Sequence, residues 1–443
     1  VRFMKKMLPA TFERLLSDRV GDMAGDIQSF KDSYARLWKE SECSFPAFKK
    51  SYTEKEQIEI EENATAFFDE LTAKISQLPT EKDQQSAWIE TCVQGLKEKA
   101  KDLLHLSSVS IDPDFERGFV RTTREFIEQL KIFDPELRIE NVYQALRNVW
   151  IMNSLQIYLD LPIEHTDAIF AYSLIYPYTD NYLDDVSLSM ENKINMMLDL
   201  RGWLEGKRAL SEFSDEEKIH QLIRLIEAQY ERERYPEVYQ SLLAIFNGQI
   251  RSLIQQKKIH RSLQNKILEI SLEKGGASVL ADGYLVKGQL DCKEADFCFG
   301  FGLFLQLADD IQDIAEDRKN NHMTLFSGRP RHQKRNDLAN RLFHFIKDIL
   351  DLKLEETSEK RKKLKRLILD NCSFLILEAI GKNRSFFSKS YVAQMEIFFP
   401  VRYTFLKSIR QKIKDRLLAK NKAVIDLDFV SAALLAIASR TVL

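Results

Sequence analysis

Three observations predict an all-α protein. Glycine and proline are sparse for 443 residues, at 15 and 10, so few positions interrupt a helix. From about residue 114 onward, apolar side chains recur at helical spacing with little interruption. Strand signals are nearly absent: there are no alternating Val/Ile/Thr runs with Asn-Gly or Asp-Gly turns between them, and Asp282-Gly283 falls inside a helical pattern.

Residues 1–110 read as an N-terminal helical extension. The run Phe12–Leu16 and the spaced set Ala64, Phe67, Phe68, Leu71 and Ile75 mark amphipathic helices. Breaks fall near Phe45-Pro46, Leu78-Pro79-Thr80 and Ser107 to Pro113. No carboxylate stripe, metal spacing or phosphate loop occurs there. Residues 111–443 read as one larger helical domain. Its candidate helices cover 114–132, 138–159, 164–184, 190–205, 214–230, 235–256, 262–273, 275–289, 294–316, 334–355, 358–380, 388–418 and 426–440. Lys319 to Lys334 is polar and basic and reads as a loop. Lys360 to Arg366 reads as a solvated helix face.

Composition narrows the function. A net charge of −2 gives no field suited to nucleic acid. The five cysteines, Cys43, Cys92, Cys292, Cys298 and Cys372, are odd in number and scattered. Reduced thiols in the cytoplasm are expected. No stretch of eighteen apolar residues occurs, so no membrane span is expected. The opening Val1–Met7 is basic but lacks the apolar run of a secretory signal.

Two aspartate clusters carry the chemistry. The first is Asp180-Asn181-Tyr182-Leu183-Asp184-Asp185, and the second Asp309-Asp310-Ile311-Gln312-Asp313, followed by Asp317. Asp180 and Asp184 are four residues apart, as are Asp309, Asp313 and Asp317, so each set stacks on one helix face. A lone pair at that spacing is more often a salt-bridged surface. Both clusters here sit in apolar segments, where burial makes the repulsion worse. A hard divalent cation is the simplest relief. Mg²⁺ completes its shell with phosphate oxygens, so two carboxylate walls point to a diphosphate substrate. Loss of diphosphate leaves a carbocation that needs an apolar, aromatic shelter. Tyr172 and Tyr176 precede the first cluster on its face, with Ile169, Ser173 and Pro177. Cys298, Phe299, Phe301 and Gln306 precede the second, and Gly300 and Gly302 are expected to leave room for substrate. Lys274, Arg318 and Lys319 are candidate cations for the diphosphate.

These residues resemble the class I isoprenoid synthases, the all-α superfamily of trans-prenyltransferases, squalene/phytoene synthases and class I terpene cyclases. Asp309-Asp310-Ile311-Gln312-Asp313 fits DDxxD. Gly302 to Asp317 resembles the second acidic motif of squalene/phytoene synthases. Ala281 to Gly288 is similar to their Tyr- and Gly-containing helix, and Asp180 to Asp185 resembles the acidic region of the bacterial large terpene synthases. The likeness covers about 141–330 by motif. It implies a class I terpenoid synthase-like helical bundle around a central cavity. It also implies Mg²⁺, three ions, held by Asp180, Asp184 and Asp185 on one helix and by Asp309, Asp310, Asp313 and Asp317 on the other. Gln306 would sit one turn above, near substrate or a metal-bound water. Arg402-Tyr403 resembles the C-terminal Arg-Tyr pair that donates to diphosphate, and Arg261 lies at the distance of a diphosphate-sensing arginine.

Departures bear on the subfamily. The first cluster is DxxxDD rather than DDxxD, and Val186 to Asn192 lacks an arginine-rich tail, which argues against ordinary chain elongation. His322 to Leu325 only loosely resembles the matching segment of head-to-head enzymes. The resemblance implies a Mg²⁺-dependent terpene synthase, a lyase that ionises a prenyl diphosphate and cyclises or rearranges the cation. The alternatives are a transferase coupling two prenyl diphosphates and a catalytically dead helical scaffold. A carboxylate di-iron bundle is set aside, because no Glu-x-x-His lies near either cluster. Peripheral membrane contact for a lipophilic product and a homodimer are left open.

Overall fold

Helices account for all the regular structure of the computed structural model among the residues it describes, which are 23–76, 113–184, 188–207, 214–252, 266–328 and 332–413. In chain order they are α1 (Ala24–Glu40), α2 (Glu54–Ser76), α3 (Pro113–Phe133), α4 (Ile139–Tyr158), α5 (Asp167–Asp184), α6 (Met190–Leu204), α7 (Ser214–Gln229), α8 (Pro236–Ser252), α9 (Ile267–Lys287), α10 (Cys292–Gln312), α11 (Ile314–Lys319), α12 (His332–Lys353), α13 (Glu359–Lys382), α14 (Lys389–Glu396) and α15 (Tyr403–Ile413). The all-α expectation holds for these residues. None of the helices is long and apolar enough to cross a membrane. The expected boundary near residue 110 and the expected helix at 426–440 lie outside the described residues.

Two expected helices merge and two divide, the one over 294–316 parting at Asp313 into α10 and α11. Gly275-Gly276 reads as a break, yet α9 runs through it. Each glycine costs up to about 1 kcal/mol in a helix, and close packing against α10 offsets that. The helix expected over 388–418 stops at Glu396 and resumes at Tyr403. Pro400 lies in the gap, where its missing N–H and fixed ring oppose helix.

The chain forms two compact units that interleave along the sequence: 1–42, 137–329 and 344–357 in the first, and 43–136, 330–343 and 358–443 in the second. In the first, α9 is the central helix and packs against α10, α8, α1, α4 and α5. A capping box starts α10, where Asp291 and Glu294 each satisfy the other's backbone N–H. The glycine at Gly288, with φ 83°, stops α9. On α10, Phe297, Phe299, Phe301 and Phe304 are all fully buried, each contributing about 1.5–3 kcal/mol of burial.

The glycines of α10 do a different job from the one expected of them. A Cβ on Gly302 would lie 2.1 Å from the Gly275 carbonyl oxygen of α9, and one on Gly300 would lie 2.3 Å from the Tyr34 ring of α1. Neighbouring helices fill the space that was expected for substrate. Phe299, expected on a pocket wall, instead meets Phe30 and Tyr34, with ring centroids 5.5 and 6.0 Å away. The Tyr34 hydroxyl donates to the Asp296 carbonyl at 2.7 Å. Further along α1, Trp38 packs edge-on to Phe345 and Ser41 donates to Asp348 at 2.7 Å.

In the second unit, α13 packs against α14 and α15. Gln57 of α2 donates to the carbonyls of Glu396 and Phe399 at 2.9 and 2.8 Å, satisfying oxygens in the gap before α15. Arg402 grips Glu61 there, Nη2 to Oε2 at 2.6 Å and Nε to Oε1 at 3.0 Å. Glu61 is buried while the arginine stays half-exposed. Removing only the arginine strands a buried carboxylate. Arg402→Ala is therefore expected to melt below the Glu61→Gln/Arg402→Ala double variant; equal melting temperatures would refute this account of the pair.

Candidate functional site

The second aspartate run closes α10. Asp309 lies in its last turn, and Asp313 caps the helix at φ −104° before α11 begins. The backbone ladder survives this joint: the Asp313 N–H reaches the Asp309 carbonyl at 2.9 Å, and the Asp317 N–H reaches the Asp313 carbonyl at 2.8 Å. The three aspartates therefore keep their one-turn spacing across a change of helix.

Their surroundings differ. The Asp309 side chain is 45% exposed and accepts from Arg147 Nη2 of α4 at 3.3 Å. Asp310, rotated about 100° around the helix, points inward and is only 3% exposed. Gln306 Nε2 donates to its Oδ1 at 3.0 Å and Ser271 Oγ of α9 to its Oδ2 at 3.3 Å. Burial pushes the Asp310 carboxyl up to about 7, against the pull of the Gln306 bond and of the Lys274 charge. Asp317 Oδ2 accepts from Thr324 at 3.1 Å, and His322 Nδ1 stands 3.8 Å from Oδ1. Burial first, and then the Asp310 charge, raise Asp317 to about 8.

Gln306, Lys274 and Asp310 are thus brought together, with Asp309 next in the chain. The remaining expected contacts are spread more widely. Arg318 and Lys319 lie on α11, exposed. Phe301 is fully buried and stacks on Phe297 at 5.9 Å, and Tyr172 is buried on α5. Arg402 and Tyr403 belong to the second unit. There Arg402 is bound to Glu61, and the buried Tyr403 ring lies where a Cβ on Gly381 would come within 2.3 Å of it.

Of the first run, Asp180 and Asp184 fall in the last two turns of α5. Their side chains, and that of Tyr176, are outside the described part, as are Asp185 and Arg261 altogether. The backbone sets α5 against α9, the same helix that carries Lys274 and packs along α10. Both aspartate-bearing helices therefore share one neighbour. Among the described residues, no group of three His, Cys, Asp or Glu side chains is placed to hold a metal ion. The oxygen donors of Asp309 and Asp313 suit a hard divalent ion in kind, whereas both Asp310 oxygens are already hydrogen-bonded.

A cavity of about 400 Å³ lies between α1 and α9, lined by Lys31, Asp32, Arg36, Lys39 and Glu269 among others. Walls of that charge do not suit a hydrocarbon cation.

Sequence reasoning missed a polar cluster inside the first unit. Asn148 Nδ2 on α4 donates to Asp282 Oδ1 of α9 at 3.1 Å and to Ser173 Oγ of α5 at 3.3 Å. Asp282 is fully buried, and its Oδ2 has no partner among the described residues. Burial lifts its pKa to about 8, opposed by the Asn148 bond. A single acid in an otherwise apolar stretch of α9 was the available signal.

Asp282 gives stability a pH dependence. The folded protein keeps the proton to about pH 8, whereas an unperturbed aspartate releases it near 3.8. Between those values the unfolded chain binds fewer protons, so stability falls as pH rises and levels off above about 8. The total is of the order of a few kcal/mol. Urea midpoints of the parent are expected to decline from pH 5 to 8, and Asp282→Asn is expected to make that decline shallower, Asp310 and Asp317 supplying the rest; an equal slope in both proteins would remove Asp282 as a source.

No protein-family model, curated protein or solved structure matches this chain.

Proposed function

We propose that the first unit is a Mg²⁺-dependent class I terpene synthase that ionises a prenyl diphosphate and cyclises or rearranges the resulting cation. The observation that carries this reading is the end of α10. There, carboxylates stand at one-turn intervals beside Arg147, Lys274 and Gln306, on a helix that shares α9 with the helix of the first run. Asp309 and Asp313, with Asp180 and Asp184, would hold the metal. Bound there, Mg²⁺ supplies Lewis-acid neutralisation of charge on the departing diphosphate. Lys274 and Arg147 supply fixed positive charge to orient the anion.

The test is incubation of purified protein with Mg²⁺ and prenyl diphosphates of ten, fifteen, twenty and more carbons, singly and in pairs. Diphosphate release with a hydrocarbon built from one substrate chain is the expected result. A product containing two chains would shift the assignment to a coupling prenyltransferase. No diphosphate release from any of them would favour the non-catalytic scaffold.

A further inference from the structure

Arg147 and Asn148 are consecutive on α4, and each reaches a different layer of the first unit. Arg147 extends to Asp309, with its side chain 41% exposed. Asn148 extends into the core to Ser173 and Asp282. Rotation of α4 about its axis would move both side chains together, since successive residues are fixed about 100° apart. The Asn148 bonds to α5 and α9, together with the buried apolar face of α4, therefore set where the Arg147 guanidinium stands.

We infer that Asn148, Ser173 and Asp282 form a positioning unit that holds Arg147 over Asp309, and that Arg147 receives the anionic end of a diphosphate ligand. The inference rests on the reading of the α10 aspartates as a diphosphate site. Two further features support it. A buried carboxyl with one oxygen lacking a donor costs more than an apolar residue of similar size would. Its presence at the junction of three helices therefore calls for a role beyond packing. The Arg147–Asp309 pair, in contrast, is long and solvent-exposed, and such pairs contribute about 0–1 kcal/mol. A diphosphate can take the guanidinium away from Asp309 at little cost and offers it bidentate oxygens.

The groups facing Asp282 are Asn148 of α4, Ser173 of α5 and the thiol of Cys298 on α10, which burial also raises. Among the described residues, no cation contributes to its charge environment. Ionisation of Asp282 above about pH 8 would put a charge into this apolar junction at a desolvation cost that the Asn148 bond only partly offsets, and so loosen the packing of α4 on α9.

Calorimetric titration with inorganic diphosphate and MgCl₂ tests the inference without turnover. At pH 7, Arg147→Gln is expected to bind about tenfold more weakly, the loss of one charge-assisted contact. Asn148→Leu is expected to bind as weakly as Arg147→Gln while keeping the parental far-UV dichroism. Asp282→Asn retains an oxygen for Asn148 and is expected to stay within about twofold of the parent. It should also lose the weakening that the parent shows between pH 7 and 9. Parental affinity in Arg147→Gln would overturn the inference, and so would a pH profile unchanged in Asp282→Asn. Should Asn148→Leu not fold, the other two variants decide the matter, since one is on the surface and the other is isosteric. A parent that binds diphosphate through Arg147 yet releases none from any prenyl diphosphate would end the synthase reading and leave this inference standing. A parent that binds no diphosphate would end both.

Discussion

Replacing Asp309 and Asp313 together by alanine is expected to lower Mg²⁺-dependent diphosphate release by roughly 10²–10³-fold, the usual loss when preorganised charge stabilisation is removed. The melting temperature should barely move. Asp309 is half exposed and its pair with Arg147 is long, so the fold gains little from it. Asp310→Ala should behave the opposite way. It would leave the side chains of Ser271 and Gln306 without their acceptor inside the protein, at about 1–3 kcal/mol for each buried orphan. Measuring release and melting on both variants separates the roles. If Asp309→Ala/Asp313→Ala loses stability as Asp310→Ala does, these carboxylates are structural and the synthase reading loses its main support.

Gly302→Val is expected to have the largest effect on stability. The first atom of any side chain there would sit 2.1 Å from the Gly275 oxygen, and 2.9 Å from Val279 Cβ. Backbone cannot swing aside as a flexible side chain can, so α9 and α10 must separate. Overpacking of a dense core costs about 1–3 kcal/mol, and more when backbone is the obstacle. For a unit of this size, about 3 kcal/mol corresponds to a fall of roughly 6–12 °C in melting temperature. Thermal unfolding followed by circular dichroism reads this directly. A valine variant that melts with the parent would mean that α9 and α10 are not in such close contact.

The helices were legible because apolar spacing is a local signal. The expected 190–205 emerges as Met190–Leu204, and 114–132 as Pro113–Phe133. What spacing does not carry is the identity of the neighbour. Gly300 and Gly302 read as room for substrate, when the room is taken by Tyr34 and by the α9 backbone. The aspartates were legible as a repeat, but Asp310, one step around the helix from Asp309, faces Ser271 rather than a metal partner. Arg147 and Asp282 were missed for the same reason. Their partners lie 162 and 134 residues away in the chain, and no local window joins them.

Tyr34 and Phe30 also change what α1 is for. A chain shortened to begin after Glu40 would bare the Phe299 ring and leave a slot beside Gly300 that its own side chains cannot close. It would also strip Lys31 from Glu273, whose Oε2 lies 2.7 Å from that ammonium. Such a fragment would be sticky and prone to self-association, even with every aspartate of the α10 run still in place. The α1 helix is thus a wedge driven into the first unit, and cutting it away would forfeit the molecule that the cut was meant to simplify.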